Sequence, residues 1–262
     1  MRPSGLMIDM DGTIYKGGDA IPGAREFIDF LNREGIPFVF LTNNSSHTRG
    51  HYFDKLRSMG LDVSRESILT STIATARFIT ERRAGKRAFV VASPDVAEEL
   101  EGLGVVSEEE RPDIVLLTFD RTITFDKINR AYHHIMGGAE LIATHPDDLC
   151  PTEDSYDVDI GQFIHMLSHL TGAAPVIVGK PSGLMLEMAA AEMGVDKEGA
   201  MMVGDRLYTD MRMAADAGIA SVLVLSGEAK ASDIDGLEVK PTHVIGSVAE
   251  MPDILRGMRS GE

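Results

Sequence analysis

Short apolar runs alternate with amphipathic stretches along most of this chain, and that alternation limits the folds it can adopt. The apolar runs have the length and composition of buried strands, and they lie at residues 6–8, 38–41, 88–91, 114–117, 141–143, 176–178, 201–203 and 221–225. Between them, helix-period stripes occur at residues 24–32 and 160–170, and Gly172 is placed to stop the second helix. The pattern predicts an α/β fold with mainly parallel strands.

The chain has 262 residues and is long enough for two domains. Strand ends that carry polar, chemically useful side chains cluster in residues 1–76 and 178–262, whereas residues 77–177 contain fewer of them. We therefore expect a catalytic core formed by 1–76 and 178–262, with 77–177 as an inserted second domain. Composition and periodicity leave a single continuous sheet open as the alternative.

The net charge and the number of cysteines indicate which binding partners and which cellular compartment to expect. The net charge of −16 argues against nucleic acid or an anionic membrane as a bulk partner. The single cysteine, Cys150, cannot form an intramolecular disulfide, which fits a reducing cytosol. Asp9 and Asp11 interrupt the first apolar run before it reaches the length of a signal peptide, so a cytoplasmic protein is expected.

The first predicted strand ends in two carboxylates one residue apart, Asp9 and Asp11, followed by Gly12 and Thr13. At the carboxyl end of a buried parallel strand, both side chains point into a crevice. Two like charges so close require a hard divalent cation or a shared proton, and Mg²⁺ is the favoured answer. Gly12 allows a sharp turn and close approach to a ligand. An ordinary strand-to-turn junction is the structural alternative.

Three further strand ends carry polar clusters. Thr42 and Asn43 follow the second strand, Lys180 follows the strand at 176–178, and Asp205 and Asp210 follow the strand at 201–203. Hydroxyl and amide groups at such positions suit an anionic oxygen cluster, and a lysine neutralises phosphate charge. Each cluster alone is also compatible with a helix cap, a turn or a solvated loop. Their combination favours a metal-assisted site for a phosphate.

Absent motifs narrow the chemistry further. The chain has neither a Gly-rich phosphate loop followed by Lys-Ser/Thr nor a Gly-x-Gly-x-x-Gly, which argues against a P-loop kinase or a dinucleotide oxidoreductase. The histidines lack zincin spacing and partner cysteines, so His165 and His169, four residues apart, are interpreted as helix-surface positions.

Together, the four clusters resemble the motifs of the haloacid dehalogenase superfamily of phosphohydrolases. Asp9 to Thr13 is similar to the first motif, Thr42-Asn43 to the second, Lys180-Pro181 to the third, and Gly204-Asp205 with Asp210 to the fourth. The long insert, with Ala20 to Ala24 and Leu41 to Asn44, resembles the NagD-like (class IIA) subfamily, which includes 4-nitrophenylphosphatases and phosphoglycolate phosphatases. The resemblance implies a Rossmann-like core and an inserted α/β cap of the C2 type.

The resemblance also implies roles. Asp9 would be the nucleophile and Asp11 the general acid and base. Asp9, Asp205 and the backbone carbonyl of Asp11 would bind Mg²⁺, with Asp210 acting through water or a hydrogen bond. Gly12, Thr42, Asn43 and Lys180 would bind the phosphate. A carboxylate at position 11 favours phosphoryl chemistry, because the dehalogenase members lack an acid there.

Two positions in the insert are candidates for substrate recognition. Thr144-His145-Pro146-Asp147 stands where many NagD-like proteins have Thr-Asn-Pro-Asp, so His145 is a candidate for altered recognition of the leaving group. The alternative is that this segment only turns the chain, since Pro and Asp are turn formers. Asp120, after the strand at 114–117, resembles another cap position near the substrate.

The function expected from these features is Mg²⁺-dependent hydrolysis of a small phosphorylated metabolite, either a sugar phosphate or a nucleoside monophosphate. A phosphotransferase that passes the phosphoryl group to an alcohol, and a phosphate-sensing module without turnover, are the alternatives. The sequence leaves monomer and homodimer open.

Overall fold

The computed structural model describes residues 3–152 and 155–258. In chain order the strands are β1 (Gly5–Asp9), β2 (Tyr15–Lys16), β3 (Asp19–Ala20), β4 (Phe38–Thr42), β5 (Ile68–Thr70), β6 (Arg87–Val91), β7 (Val106–Ser107), β8 (Ile114–Leu117), β9 (Glu140–Ala143), β10 (Leu149–Pro151), β11 (Tyr156–Val158), β12 (Val176–Ile177), β13 (Ala200–Gly204), β14 (Ala220–Val224) and β15 (His243–Ile245).

The α-helices of the described residues are α1 (Ala24–Glu34), α2 (Arg49–Ser58), α3 (Ser71–Arg82), α4 (Pro94–Gly102), α5 (Phe125–Met136), α6 (Ile160–Thr171), α7 (Gly183–Met193), α8 (Arg212–Ala217) and α9 (Met251–Gly257). A π-helical turn, Leu207–Met211, precedes α8. Among the described residues, none of these helices combines the length and apolar character that a membrane span requires.

The chain divides into two compact units. The first contains Met1–Thr42, Gly50–Leu69 and Met185–Glu262, and the second contains Asn43–Arg49 and Thr70–Leu184. The predicted domain limits, 1–76 with 178–262 and 77–177, stay a prediction.

The first unit is built on a six-stranded sheet in the order β15-β14-β13-β1-β4-β5. The strand β1 pairs in parallel with β13 on one side and with β4 on the other. All five residues of β1 and of β13 are buried. Because parallel strands are covered on both faces, these runs are apolar without alternation. The register aligns the carboxyl ends of β1, β4 and β13, which carry three of the predicted site segments.

The second unit contains a separate five-stranded sheet in the order β12-β9-β8-β6-β7, with parallel pairing throughout. Its core packs helices α5 and α6 against this sheet through Ala131, Ile135, Ile164 and Leu167. The α/β class and the parallel strands are therefore confirmed, and the alternative of one continuous sheet is wrong.

The two helices predicted from periodicity are also confirmed. The helix α1 ends at Gly35, and α6 ends at Gly172, both in the left-handed conformation that glycine adopts without strain. His165 and His169 lie on the exposed side of α6, as their interpretation as surface positions requires.

Two leucines of α6 offer a matched test of the second core. Leu167 is fully buried, whereas Leu170 on the same helix is 57% exposed. We expect Leu167→Ala to lower the free energy of unfolding by about 2–5 kcal/mol, because it removes buried methyl groups and leaves a cavity. Leu170→Ala should change it by less than about 0.5 kcal/mol. Urea denaturation of both variants measures the difference, and equal losses would contradict this packing.

Candidate active site

The loop after β1 is folded around one carbonyl oxygen. Asp9 is the last residue of the strand, and its side chain is buried. The carbonyl of Met10 accepts hydrogen bonds from the backbone N–H groups of Thr13, Ile14 and Tyr15, at 3.3, 2.8 and 3.1 Å. This tight turn reverses the chain directly after the strand and holds the segment that follows Asp9 in one conformation.

Gly12 is required at its position for two reasons. Its φ of +82° lies in the left-handed region, which side chains other than glycine rarely adopt. A β-carbon there would overlap the Oδ2 atom of Asp205. The Gly12 N–H donates to the Tyr15 carbonyl at 2.7 Å, and the Gly12 carbonyl accepts from the Ser226 hydroxyl at 2.7 Å. The absence of a side chain at Gly12 leaves room for the Asp205 carboxylate. Phosphate binding by Gly12 stays a prediction.

Three buried carboxylates converge at the ends of β1 and β13. Each of Asp9, Asp205 and Asp210 offers an oxygen atom, and these atoms lie within 4.8 Å of one another. The Oδ2 atom of Asp205 accepts the backbone N–H of Glu228 at 2.7 Å. Its Oδ1 atom is buried and has no hydrogen-bond partner among the described residues.

This donor set fits a divalent metal ion. A buried carboxylate oxygen without a partner is costly to desolvate, and a hard cation offsets that cost. Burial, followed by the negative charges of Asp9 and Asp210, raises the pKa of Asp205 from 3.8 to about 8. Without a cation the cluster therefore retains a proton at neutral pH, and a metal ion would displace it.

Asp210 reaches the cluster from a π-helical turn. Its side chain is fully buried, and its Oδ2 atom accepts the backbone N–H of Arg206 at 3.2 Å. A β-carbon on Gly204 would lie 2.5 Å from the carboxyl carbon of Asp210. The glycine that ends β13 thus gives Asp210 room to approach the end of the strand. The role of Asp210 toward a metal ion stays a prediction.

Asp11 is exposed to solvent, unlike the three buried carboxylates of the cluster. The surrounding protein nevertheless raises the pKa of its carboxyl by desolvation, and the charge of Asp9 raises it further. Lys55, Arg206 and Lys16 oppose this increase. A raised pKa favours a protonated Asp11, which is the form that a general acid requires.

Lys55 is a residue near this site that the sequence analysis did not identify. It belongs to α2, and its ammonium lies 3.8 Å from the centre of the Tyr15 ring. Burial lowers the pKa of Lys55, and the negative charge of Asp11 partly restores it. Only the tertiary fold brings position 55 beside the loop after β1, so local sequence patterns carry no signal for it.

The predicted phosphate-binding residues fall in both units. Thr42 ends β4 in the first unit and is buried. Asn43 and Lys180 lie in the second unit, where they contact each other directly. The Asn43 side chain accepts the Lys180 N–H through Oδ1 at 2.8 Å and donates to the Lys180 carbonyl through Nδ2, also at 2.8 Å. These two hydrogen bonds fix the position of the Lys180 backbone relative to Asn43.

The candidate specificity residues Asp120 and His145 are both buried. One Asp120 oxygen accepts the N–H and the hydroxyl of Thr122, and the other accepts the ammonium of Lys127. These bonds shape the loop before α5. His145 is hydrogen-bonded on both ring nitrogens inside the second unit. Direct substrate recognition by either side chain stays a prediction.

Cys150 is half-buried, and its sulfur accepts a hydrogen bond from the side-chain amide of Asn44 at 3.5 Å.

Ser226 and Glu228, which no sequence motif singled out, also contribute to the site, and so does Asp147, which the sequence suggested only as a turn former. Ser226 and Glu228 follow β14, and they bond Gly12 and Asp205. Asp147 follows β9, and both its carboxylate oxygens accept Asn43 Nδ2 at 3.2 Å. Each lies just beyond a strand of its sheet, so the same strand-end rule could have identified them as candidates.

Comparisons with known proteins identify relatives of this chain. Residues 6–106 match the family described as haloacid dehalogenase-like hydrolase, and residues 177–251 match a second model of hydrolases of the same type. A dihydroxyacetone phosphatase of Corynebacterium glutamicum is 35% identical over 94% of this chain and 90% of that protein. The 5'-nucleotidase YutF of Bacillus subtilis is 34% identical over 94% of this chain and 96% of that protein.

A solved structure, that of NagD from Escherichia coli K-12, superposes with a TM-score of 0.89 and 32% identity, over 95% of this chain and 98% of that one. The chain belongs to the haloacid dehalogenase-like hydrolases, and it is a phosphatase of that superfamily. Within the superfamily it is a NagD-like protein, as the motif pattern predicted.

Gly12→Ala tests whether the space beside Asp205 is required. The new methyl group would displace the Asp205 carboxylate, and a misplacement of about 1 Å at a reacting centre costs about 10²-fold in rate. We expect activity and the stabilisation by Mg²⁺ to fall together, measured by phosphate release and by thermal unfolding. Gly17→Ala is the matched control, because Gly17 also has a positive φ but a β-carbon there meets no atom within 4 Å. If Gly17→Ala lost as much activity, the backbone conformation alone would explain the effect.

A second prediction concerns pH. The folded-state pKa of Asp205, about 8, exceeds its ordinary value of 3.8. Between these values the folded metal-free protein holds a proton that the unfolded chain has released, so this group makes stability fall as the pH rises from about 4 to about 8. A divalent cation bound here would compete with that proton, so any stabilisation by added Mg²⁺ should be larger near pH 8 than near about pH 5.5.

Thermal unfolding with Mg²⁺ and with EDTA across this pH range measures the effect, and Asp205→Asn is the control because it removes the titrating group. The variant should show a small increase in melting temperature with Mg²⁺ at every pH. A large increase of equal size at both ends of the range in the unmodified protein would contradict the prediction.

Proposed function

We propose that this protein is a Mg²⁺-dependent phosphomonoesterase that hydrolyses a small phosphorylated metabolite through an aspartyl-phosphate on Asp9. The observation that carries the proposal is the convergence of Asp9, Asp205 and Asp210, in which a buried Asp205 oxygen has no partner among the described residues. Such a site suits a divalent cation, which would neutralise negative charge there. The family membership supports the same chemistry.

Asp9, Asp205 and the backbone carbonyl of Asp11 would hold Mg²⁺, with Asp210 contributing through water or a hydrogen bond. When bound, the ion neutralises negative charge on the phosphate and on the carboxylates around it. Asp210 also keeps the turn after β13 in place through its bond to the Arg206 N–H. The fit of Mg²⁺ in particular rests on the all-oxygen donor set, since hard cations prefer carboxylate and carbonyl ligands.

The reaction divides into two displacements at phosphorus. In the first, a carboxylate oxygen of Asp9 bonds to phosphorus while the bond from phosphorus to the ester oxygen breaks, and protonated Asp11 gives its proton to the departing alcohol. In the second, Asp11, now a carboxylate, takes a proton from water. That water attacks the phosphorus, and the bond from phosphorus to the Asp9 oxygen breaks, which releases inorganic phosphate. The raised pKa of Asp11 supports this exchange of roles.

Thr42, Asn43 and Lys180 would bind the phosphoryl oxygens that do not react. The Asn43 side chain bonds the Lys180 backbone. We therefore assign Asn43 a second role, which is to hold Lys180 in position. The Lys180 ammonium would supply positive charge to the transferring group. Residues 77–177 would form the inserted cap domain.

The substrate class proposed is a sugar phosphate or a nucleoside monophosphate. It is supported by the names of two relatives, one a dihydroxyacetone phosphatase and the other a 5'-nucleotidase. These relatives are about equally similar to this chain, so the comparison favours neither class over the other.

Release of inorganic phosphate from a panel of triose and hexose phosphates, nucleoside monophosphates, phosphoglycolate and 4-nitrophenyl phosphate tests the proposal. We expect turnover with Mg²⁺, none with EDTA, and none for Asp9→Asn, because an amide is a poor nucleophile. Asp19→Asn is the matched control, since Asp19 is an exposed aspartate in the nearby strand β3. Undiminished turnover by folded Asp9→Asn would overturn the assignment of the nucleophile. An added alcohol that becomes phosphorylated in preference to water would favour the phosphotransferase alternative.

A further inference from the structure

His145 is one of the most completely buried polar residues of the second unit, with no exposed surface. It follows β9, and its two ring nitrogens are bonded on opposite sides. Nε2 lies 3.1 Å from Asp159 Oδ1, and Nδ1 lies 3.1 Å from the Thr144 hydroxyl and 3.4 Å from the Ser45 hydroxyl. A buried imidazole with partners on both sides fixes the groups it joins, because breaking either bond leaves a buried polar group unsatisfied.

The hydrogen atoms of this network can be assigned in one consistent direction. Asp159 is an acceptor, so Nε2 of His145 carries the hydrogen and Nδ1 accepts. Thr144 then donates to Nδ1, and Ser45 donates to the Thr144 hydroxyl at 2.8 Å. The Phe119 backbone N–H completes the chain by donating to Ser45 at 2.8 Å. Each hydroxyl in this chain both donates and accepts.

Asp159 is itself anchored by the helix that follows it. Its Oδ1 atom accepts the Ile160 N–H at 2.6 Å, and the residue is the N-cap of α6. The network therefore runs from the start of a twelve-residue helix to the loop that begins at Asn43. A helix packed in the core is a rigid support for a loop.

The loop and the segment after β9 are joined a second time, through Asn43 and Asp147. Ser45 lies two residues after Asn43, and Asp147 lies two residues after His145, so two links on neighbouring residues join the same two segments. The third segment, Gly179-Lys180, is tied to both. The Gly179 N–H donates to the Thr144 carbonyl at 2.7 Å, and Lys180 bonds Asn43 through its N–H and its carbonyl.

We propose that Asp159 and His145 are positioning residues that hold the Asn43 loop, and through it Lys180, in the arrangement that binds the phosphoryl group. This inference rests on the proposed function. It differs from a role of His145 in leaving-group recognition, because the ring has no exposed surface and its bonds lead to the loop. A variant that breaks this network should therefore lower kcat/KM by the same factor for every substrate.

Two variants separate the bond that His145 makes to Asp159 from the bond it makes to Thr144. His145→Leu and His145→Asn both remove the partner of Asp159, but the amide oxygen of Asn can still accept from Thr144, as Nδ1 does. We expect His145→Leu to lower kcat/KM about tenfold or more, by the same factor for alkyl and aryl phosphates, and to raise the inhibition constant for inorganic phosphate. His145→Asn should recover only the part of this loss that depends on the bond to Thr144, because Asp159 still lacks its partner.

Ile135→Ala is the control for destabilisation, since it weakens the core of the same unit from α5 and touches neither the network nor the helix that anchors it. It should keep the kinetic constants of the unmodified protein below its melting temperature. If His145→Leu does not fold, Ser45→Ala breaks the same chain by removing one oxygen atom, and the same equal loss is expected.

The outcomes separate the two proposals. If the unmodified protein releases no phosphate from any substrate, the proposed function itself fails. If it is active and His145→Leu keeps its phosphate inhibition constant and kcat/KM, the positioning role is overturned. A loss confined to substrates with one kind of leaving group would also overturn it, in favour of recognition by His145.

Discussion

The mutual repulsion of Asp9, Asp205 and Asp210 is the constraint around which the first unit is organised. Adjacent parallel strands bring two of these carboxylates to the same edge of the sheet, and a π-helical turn adds the third. Three glycines, Gly12, Gly204 and Gly227, leave the space that these carboxylates occupy, since a β-carbon on each would overlap Asp205 or Asp210. The metal-free cluster is an unfavourable arrangement that binding of a cation relieves.

The buried network around Asn43 and His145 in the second unit follows a different rule. The side chains of Asn43, Ser45, His145 and Asp159 are buried, and each has hydrogen-bond partners within the unit. Satisfied buried networks specify one arrangement of the segments they join. An unpartnered carboxylate oxygen in the first unit and a bonded network in the second are consistent with two tasks, binding a ligand and holding a loop.

Periodicity and strand-end chemistry predicted much of this protein. The runs that form β1, β4 and β13 are apolar on both faces, and this pattern predicted their burial. The polar residues that follow each run are also visible in the sequence. Gly35 and Gly172 end their helices for a local reason that is also visible in the sequence. Asp9, Asp205 and Asp210 meet because the strand order places β1 beside β13, which the parallel α/β pattern made probable but did not determine.

Hydrogen-bond partners could not be predicted in the same way. Asn43 bonds Asp147 and Lys180, which are more than 100 residues away along the chain. The partners of Asp120 and His145, and the position of Lys55 over Tyr15, likewise depend on tertiary packing. Sequence patterns identify which residue types stand at a strand end, while the direction of each side chain is decided by its neighbours in space.

The most direct test of the account is to identify the residue that carries the phosphoryl group during turnover. The protein would be mixed with Mg²⁺ and its best substrate, quenched in acid within one turnover, digested and analysed by mass spectrometry of the peptide that contains Asp9 and Asp11. Nucleophilic attack by Asp9 predicts a phosphoryl group on Asp9 that is absent without Mg²⁺. A phosphoryl group on Asp11 or on any other residue, or burst-free turnover with Asp9 unmodified at every quench time, would contradict it.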